Sequence, residues 1–147
     1  MNRLLIGIVA VLALPVSSSL HAQAGEAFGK AELSLQVGDK TKAVDVSINY
    51  QESALVIVDK NTGQALKTLL YSEIKGGEYS FGKSPRWKTA IFVSPLFLFT
   101  SGKKHWFLVQ GASDYALLHL DKSNYKMVLA SFETKTGKKV EAVGETK

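Results

Sequence analysis

The histidines are the residues of this chain with the greatest potential for metal chemistry, because it contains no cysteine. His105 and His119 lie in two predicted strands joined by a short turn, whereas His21 lies near the N-terminus. One hairpin register places His105 and His119 opposite each other, and a shift of one residue sends them to opposite faces. Either register supplies only two ligands, whereas a structural zinc site takes about four. We therefore predict no metal site.

Serine, carboxylate and glycine patterns give no catalytic motif. The chain has no Gly-x-Ser-x-Gly sequence. Glu73 and Glu78 flank Gly76-Gly77, which we interpret as a turn that leaves both carboxylates in solvent. The glycine pair is not followed by the Lys-Ser or Lys-Thr of a phosphate-binding loop. We therefore predict a protein that is not an enzyme and binds no cofactor.

Basic residues beside the two tryptophans form the remaining candidate site. One group surrounds Trp87 and the other precedes Trp106. If Ser94-Pro95 reverses the chain, the two groups meet at one end of the sheet; if it is only a kink, they lie at opposite ends. In the first case they form a rim that would attract an anionic headgroup, glycan or polymer; otherwise they are lysines in solvated turns. The rim consists of Arg86, Lys88, Lys103, Lys104 and His105.

The N-terminus has the three parts of a secretory signal peptide. A positive charge at Arg3 precedes an apolar run from Leu4 to about Val16, and Ala22-Gln23-Ala24 forms a small-residue cleavage site. A membrane-spanning helix would need about 20 apolar residues, and Pro15 interrupts this run. We predict cleavage of residues 1–24 after Ala24, export to the periplasm or the extracellular space, and no membrane span after cleavage.

The mature chain, residues 25–147, is predicted to form a single domain of 147 − 24 = 123 residues. It keeps all 13 acidic residues and loses only Arg3 from the 18 basic ones, so its net charge is 17 − 13 = +4. This charge is well below the basic excess typical of nucleic-acid-binding domains. We therefore expect no nucleic-acid partner, although attraction to anionic surfaces remains open.

Alternating apolar and polar residues predict many short strands. Ala31–Val37 and Val44–Tyr50 are expected to form an N-terminal hairpin around the turn Gly38-Asp39-Lys40. The other predicted strands are Leu55–Val58, Leu66–Tyr71, Glu78–Phe81, Thr89–Val93, Leu96–Phe99, Trp106–Val109 and Tyr115–Leu120.

The last segment changes to a helical period. Tyr125, Val128, Leu129 and Phe132 share one face of a predicted helix, which must pack on the sheet because a short helix is marginal alone. Ser123 or Asp121 is expected to cap its start, and Gly137 to end it. The polar tail, residues 141–147, is expected to fray.

The pattern of strands from Leu55 to Leu120 followed by one amphipathic helix resembles the pleckstrin-homology-like (PH-like) barrel of small exported bacterial proteins of unknown function. The resemblance covers roughly residues 53–140. It implies a mainly β domain, a barrel or two orthogonal sheets closed by the C-terminal helix, with the N-terminal hairpin as an extra element. The segments that carry it are Leu69–Ile74, Pro95–Phe99 with Lys103–Phe107, and Leu120–Val140.

The resemblance implies a binding role, because domains of this fold usually bind headgroups, peptides or partner proteins, although a fold does not fix an activity. We expect a non-catalytic, exported binding module of the cell envelope whose partner is a protein or an anionic envelope component. Two alternatives remain open. One is a small ligand carrier or enzyme with a cavity inside the barrel, and the other is a structural subunit that pairs through an exposed strand edge.

Overall fold

The computed structural model describes residues 25–82 and 104–143. The predicted signal peptide and the predicted strands Thr89–Val93 and Leu96–Phe99 lie outside these ranges. No helix in the described ranges is long and apolar enough to cross a membrane. The strands are β1 (Glu26–Val37), β2 (Lys40–Tyr50), β3 (Ala54–Asp59), β4 (Ala65–Leu70), β5 (Gly76–Gly82), β6 (Lys104–Gln110), β7 (Tyr115–Leu120) and β8 (Val140–Ala142), and the helix α1 spans Tyr125–Thr136.

The strands form one sheet in the order β4-β3-β2-β1-β7-β6-β5-β8. All neighbours are antiparallel except β5 and β8, which are parallel. Within the described ranges no pairing joins β4 to β8, so the sheet is open. The fold is therefore mainly β with one C-terminal helix, as predicted.

The N-terminal hairpin forms as predicted, but it lies inside the sheet. Glu32 of β1 is opposite Asp45 of β2 on one side and His119 of β7 on the other. Leu33 and Ile48 are fully buried on the helix side. The hairpin therefore belongs to the core of the sheet rather than being an extra element outside a PH-like core that begins near residue 53, because β1 pairs with strands on both of its edges.

The helix packs on the sheet through the predicted apolar face. Val128 and Phe132 are fully buried, and Tyr125 and Leu129 pack against the same core. Phe132 meets Phe107 of β6 edge to face, with ring centroids 5.2 Å apart, a favourable geometry for aromatic pairs. The predicted helix face is therefore confirmed.

The helix ends differ in how well they match the prediction. Gly137 ends the helix in the left-handed conformation, with φ of 69°, as expected. At the start, Asn124 occupies the capping position, and its amide donates to the oxygen of Gly29 at 2.7 Å. The prediction of Ser123 or Asp121 as the cap is wrong, because the Asp121 carboxylate instead accepts hydrogen bonds from Ser123 within the preceding turn.

The segment after the helix extends the sheet. Val140 pairs with Gly77 of β5, and the N–H of Val143 donates to the oxygen of Tyr79 at 2.8 Å. The side chain of Glu133 on α1 accepts the N–H of Val140 at 2.9 Å. Val143 is only 6% exposed, so residues 141–143 are held in place. The prediction that these three residues fray is wrong. Residues 144–147 lie outside the described ranges.

Candidate functional site

Only part of the predicted cationic rim falls within the described residues. Lys104 and His105 are the first two residues of β6, whereas Arg86, Lys88 and Lys103 lie outside. Adjacent strand residues project to opposite faces of a sheet. The structure therefore directs Lys104 and His105 to different surfaces, and the rest of the rim stays a prediction.

His105 belongs to an aromatic cluster at the start of the helix. Its ring stacks on Tyr125 with centroids 4.0 Å apart and lies 4.6 Å from the ring of Phe81. The hydroxyl of Tyr79 is 2.7 Å from His105 Nδ1. Burial lowers the pKa of His105 and raises the pKa of Tyr79 to about 12, so both groups favour their neutral forms. The cluster therefore joins β5, β6 and α1 by packing and hydrogen bonding.

His119 lies on the other face of the sheet. The register of β6 and β7 pairs His105 with Leu120 and Trp106 with His119, which is the alternative that separates the two histidines. His119 Nδ1 instead contacts Glu32 at 3.2 Å. No group of three or more metal-ligating side chains suited to an ion occurs within the described ranges.

A groove lies where β5 and β6 meet the segment that follows α1, and we call it the Gly76 groove. Its volume is about 300 Å³, at the lower end of the range for ligand pockets. Among the lining residues that the structure describes, Leu108 is the one large apolar side chain. The groove is lined by Lys75, Gly76, Gly77, Glu78, Leu108, Gln110, Lys138, Lys139 and Glu141.

Gly76 lines the groove without a side chain. A Cβ at Gly76 would meet no atom within 4 Å, whereas a Cβ at Gly77 would lie 2.9 Å from Phe107 and 3.0 Å from Phe132. The two glycines therefore lie on opposite faces of β5. Gly76 leaves space in the groove, and Gly77 leaves room for the rings of Phe107 and Phe132. The sequence-based prediction of a turn at this pair is wrong, because both glycines lie in β5.

The charged side chains of the Gly76 groove differ in their exposure. Lys75, Lys138 and Lys139 are exposed, whereas Glu78 is 4% exposed. The prediction that Glu78 lies in solvent is therefore wrong. Glu78 is also directly opposite Glu141 in the parallel ladder. Three lysines and Glu141 therefore lie at the exposed mouth of the groove, and the carboxylate of Glu78 lies deeper.

A larger hollow of about 450 Å³ lies beside the start of β1 and the turn between β2 and β3. Among its described lining residues Glu52 is the one charged side chain, so these residues offer fewer groups for selective recognition. We therefore place the candidate site in the Gly76 groove. The larger hollow is lined by Gly25, Asn49, Gln51, Glu52 and Ser53.

Sequence reasoning missed the Gly76 groove because its walls come from distant parts of the chain. Lys138 and Lys139 follow the helix-ending Gly137, and only the parallel pairing of Val140 with Gly77 brings them to Lys75. The available signal was a lysine pair directly after a predicted helix end. It gave no indication of which strand the lysines would approach.

Comparison with known proteins identifies a fold. No protein family model matches the chain, and no curated protein sequence matches it. Among solved structures, it is similar to one described as "Structure of the Spt16D Pob3N heterodimer", with a TM-score of 0.50 and 17% sequence identity. The match covers 82% of this chain and 55% of that one, so this chain spans about half the length of the matched chain. The sheet, the C-terminal helix and this similarity together show that the chain has a PH-like fold.

Proposed function

We propose that this chain is a non-catalytic, exported binding module of the cell envelope, and that it binds an anionic group of its partner in the Gly76 groove. The observation that carries the proposal is the lining of the groove, to which two chain segments contribute the lysines Lys75, Lys138 and Lys139. Leu108 adds an apolar contact beneath them. A few charged groups around an apolar surface are typical of binding sites.

The groups that line the groove favour recognition over reaction. Ammonium, amide, carboxylate and aliphatic groups bind a partner through charge, hydrogen bonds and apolar contact. The PH-like fold supports the proposal only in general terms, because one fold hosts many functions. Export is supported by the charged start, the apolar run and Ala22-Gln23-Ala24 in the sequence.

Binding through the groove is expected to depend on salt. The three lysines are exposed, and exposed ion pairs contribute only about 0–1 kcal/mol each. Salt screens such charges over about 8 Å at physiological ionic strength. We therefore expect affinity to fall as sodium chloride is added.

The test is a titration of the isotope-labelled exported protein, followed by the NMR shifts of its backbone amides. Sodium phosphate, phosphatidylglycerol vesicles and a peptide with two glutamates are added separately at constant ionic strength. We expect at least one of these probes to shift the amides of Gly76, Gly77 and Gln110, and Gly76→Val to abolish the shifts by filling the groove.

The matched control is Thr68→Val, which adds valine at an exposed position of β4, at the far end of the sheet. This variant should bind as the wild type does. The proposal fails if none of the three probes shifts the groove amides, or if Gly76→Val binds as well as Thr68→Val.

A further inference from the structure

We propose that the exported protein associates weakly with a second copy of itself through the hairpin that joins β1 and β2. We call residues 34–43 of this hairpin the arm. The arm is separate from the Gly76 groove, and the inference goes beyond the proposed function without depending on it. It rests on the length of the hairpin, the direction of its backbone groups and the order of its side chains.

The arm extends past the strands on either side of it. Within the described ranges, β7 pairs with β1 only from Ala31 to Leu33, and backbone bonds from the β3 side reach β2 only as far as Asp45. Every residue from Gln36 to Ala43 is exposed. A two-stranded hairpin is marginally stable in water without further strands. Another strand that paired with one edge of the arm would therefore stabilise it.

The turn at the tip of the arm determines which backbone groups point outward. Val37 and Lys40 pair across a two-residue loop that begins with Gly38, whose φ is 63°. In such a hairpin the closing pair exchanges both backbone hydrogen bonds, and the direction of these groups alternates along each strand. The N–H and C=O of Gln36 therefore point away from β2, and those of Thr41 point away from β1. The β1 edge thus presents a donor and an acceptor to an incoming strand.

The β1 edge of the arm is complementary to itself in the antiparallel direction. With Gln36 opposite Gln36 of a second copy, Leu35 of each copy lies opposite Val37 of the other. Both side chains are on the face of β1 that carries buried Leu33. Leu35 packs against the core, whereas Val37 is 60% exposed. Pairing would therefore cover an exposed valine with an apolar side chain, which is a favourable cross-strand pair.

The lysines of the arm favour pairing through β1 over pairing through β2. Lys40 and Lys42 are on β2, opposite Val37 and Leu35. Neighbouring strands are about 4.8 Å apart, so joining two β2 strands would bring the lysines of both copies onto adjacent strands. Joining two β1 strands instead separates them by three strand spacings, about 14 Å. This separation exceeds the screening length of about 8 Å at physiological ionic strength.

The paired segment is short, so the dimer should be weak. Residues 34–38 span roughly 17 Å at about 3.4 Å per residue. Interfaces that bury less than about 1,200 Å² in total are typical of weak or transient association. We therefore expect a dimer that forms at high protein concentration and that a covalent trap detects with the greatest sensitivity.

The absence of cysteine from the chain makes such a trap specific. Gln36→Cys places the thiols of the two copies opposite each other, with Cα atoms about 5.5 Å apart, a distance that a disulfide bridges. The matched control is Thr41→Cys, which is exposed and lies directly opposite Gln36 on β2. In the proposed dimer the two copies of residue 41 would be about 14 Å apart, too far for a disulfide.

The two cysteine variants are oxidised separately with oxidised glutathione, and covalent dimer is measured by non-reducing electrophoresis. We expect Gln36→Cys to form the dimer at least about tenfold faster than Thr41→Cys, because association raises the local concentration of the paired thiols. Equal rates for the two variants would overturn the inference.

A second pair of variants tests the association without a covalent bond. Gln36→Pro removes the outward N–H of the β1 edge, and Thr41→Pro removes that of the β2 edge. Proline is tolerated where an edge N–H faces solvent, and thermal melting verifies that both variants fold. Sedimentation equilibrium should show a concentration-dependent dimer for the wild type and for Thr41→Pro, and a monomer for Gln36→Pro.

Two results of the sedimentation experiment would contradict the inference. A wild type that stays monomeric at millimolar concentration excludes the dimer. A dimer that persists in Gln36→Pro forms through another surface, so the arm is not the interface. Neither result bears on the Gly76 groove, which is tested by its own amide shifts.

Discussion

The hydroxyl of Tyr50, at the end of β2, donates a hydrogen bond to the backbone oxygen of Val128 in α1 at 2.9 Å. Both residues are fully buried. Burial raises the pKa of Tyr50 far above its usual range, so the hydroxyl keeps its proton and remains a donor. This bond fixes the helix relative to the sheet, and the end of that helix begins one wall of the Gly76 groove.

Loss of the Tyr50 hydroxyl is expected to destabilise the fold. Tyr50→Phe keeps the ring and removes the donor, so the free energy of unfolding should fall by about 1–2 kcal/mol. Chemical denaturation measures the change. Tyr71→Phe is the control, because the Tyr71 hydroxyl bonds the oxygen of Gln51 at the surface and should contribute less. Equal losses in the two variants would argue against a special role for the buried bond.

The two neighbouring glycines should respond oppositely to the same substitution. Gly76→Ala adds a methyl group in open space at an ordinary backbone conformation, so stability should stay equal or rise by up to about 1 kcal/mol. Gly77→Ala should cost about 1–3 kcal/mol, because its Cβ would press on Phe107 and Phe132. Thermal melting measures the stability of both variants. A larger loss of stability for Gly76→Ala than for Gly77→Ala would contradict the packing described.

Acidification should weaken the fold through His105. Its pKa is lowered from 6.5 by burial and by the charge of His119, with Asp121 acting in the opposite direction. In the window just below pH 6.5 the unfolded chain therefore binds more protons than the folded one, and the free energy of unfolding falls as the pH drops. Denaturation at a series of pH values should show a shallower slope in this window for His105→Phe than for the wild type. Identical slopes would exclude His105 as the source of this pH dependence.

The chain segment after α1 forms one wall of the groove, and its position should depend on the burial of Val143. Val143→Asp places a charge at a buried position, which should release β8, cost about 1–3 kcal/mol and abolish binding by displacing Lys138 and Lys139. Hydrogen exchange of the Val143 amide measures the release. The control Ala142→Asp adds the same charge at the exposed neighbouring residue. If both variants exchange alike, burial of Val143 does not hold the strand.

Elements with a clear side-chain period could be predicted from the sequence. The alternation in Val44–Tyr50 predicts the buried face of β2, and the spacing of Val128 and Phe132 predicts the buried helix face. The strand β8 was missed because three residues are too few to show a period. Gly76-Gly77 was misassigned because a residue without a side chain contributes nothing to an alternation pattern.

The candidate site was less predictable than the fold, because it depends on which strands become neighbours. Lys104 and His105 are adjacent in sequence, yet strand geometry separates their side chains. Lys75 and Lys138 are distant in sequence, yet one short parallel pairing places them around the same groove. Local patterns cannot identify such a pairing, since it is selected by burial of Val143 and by packing of the helix.

The contact between Glu133 and Val140 bears on whether further chains can add to this end of the sheet. In a parallel ladder the backbone groups of successive residues point alternately to the two sides. The N–H of Val143 points to Tyr79, so the N–H of Val140 points away from β5, where Glu133 accepts it. An incoming chain would have to break this bond and bring its own backbone against a carboxylate. We therefore expect the Glu133 carboxylate to hinder the pairing of a further strand with β8, and so to oppose fibril growth there.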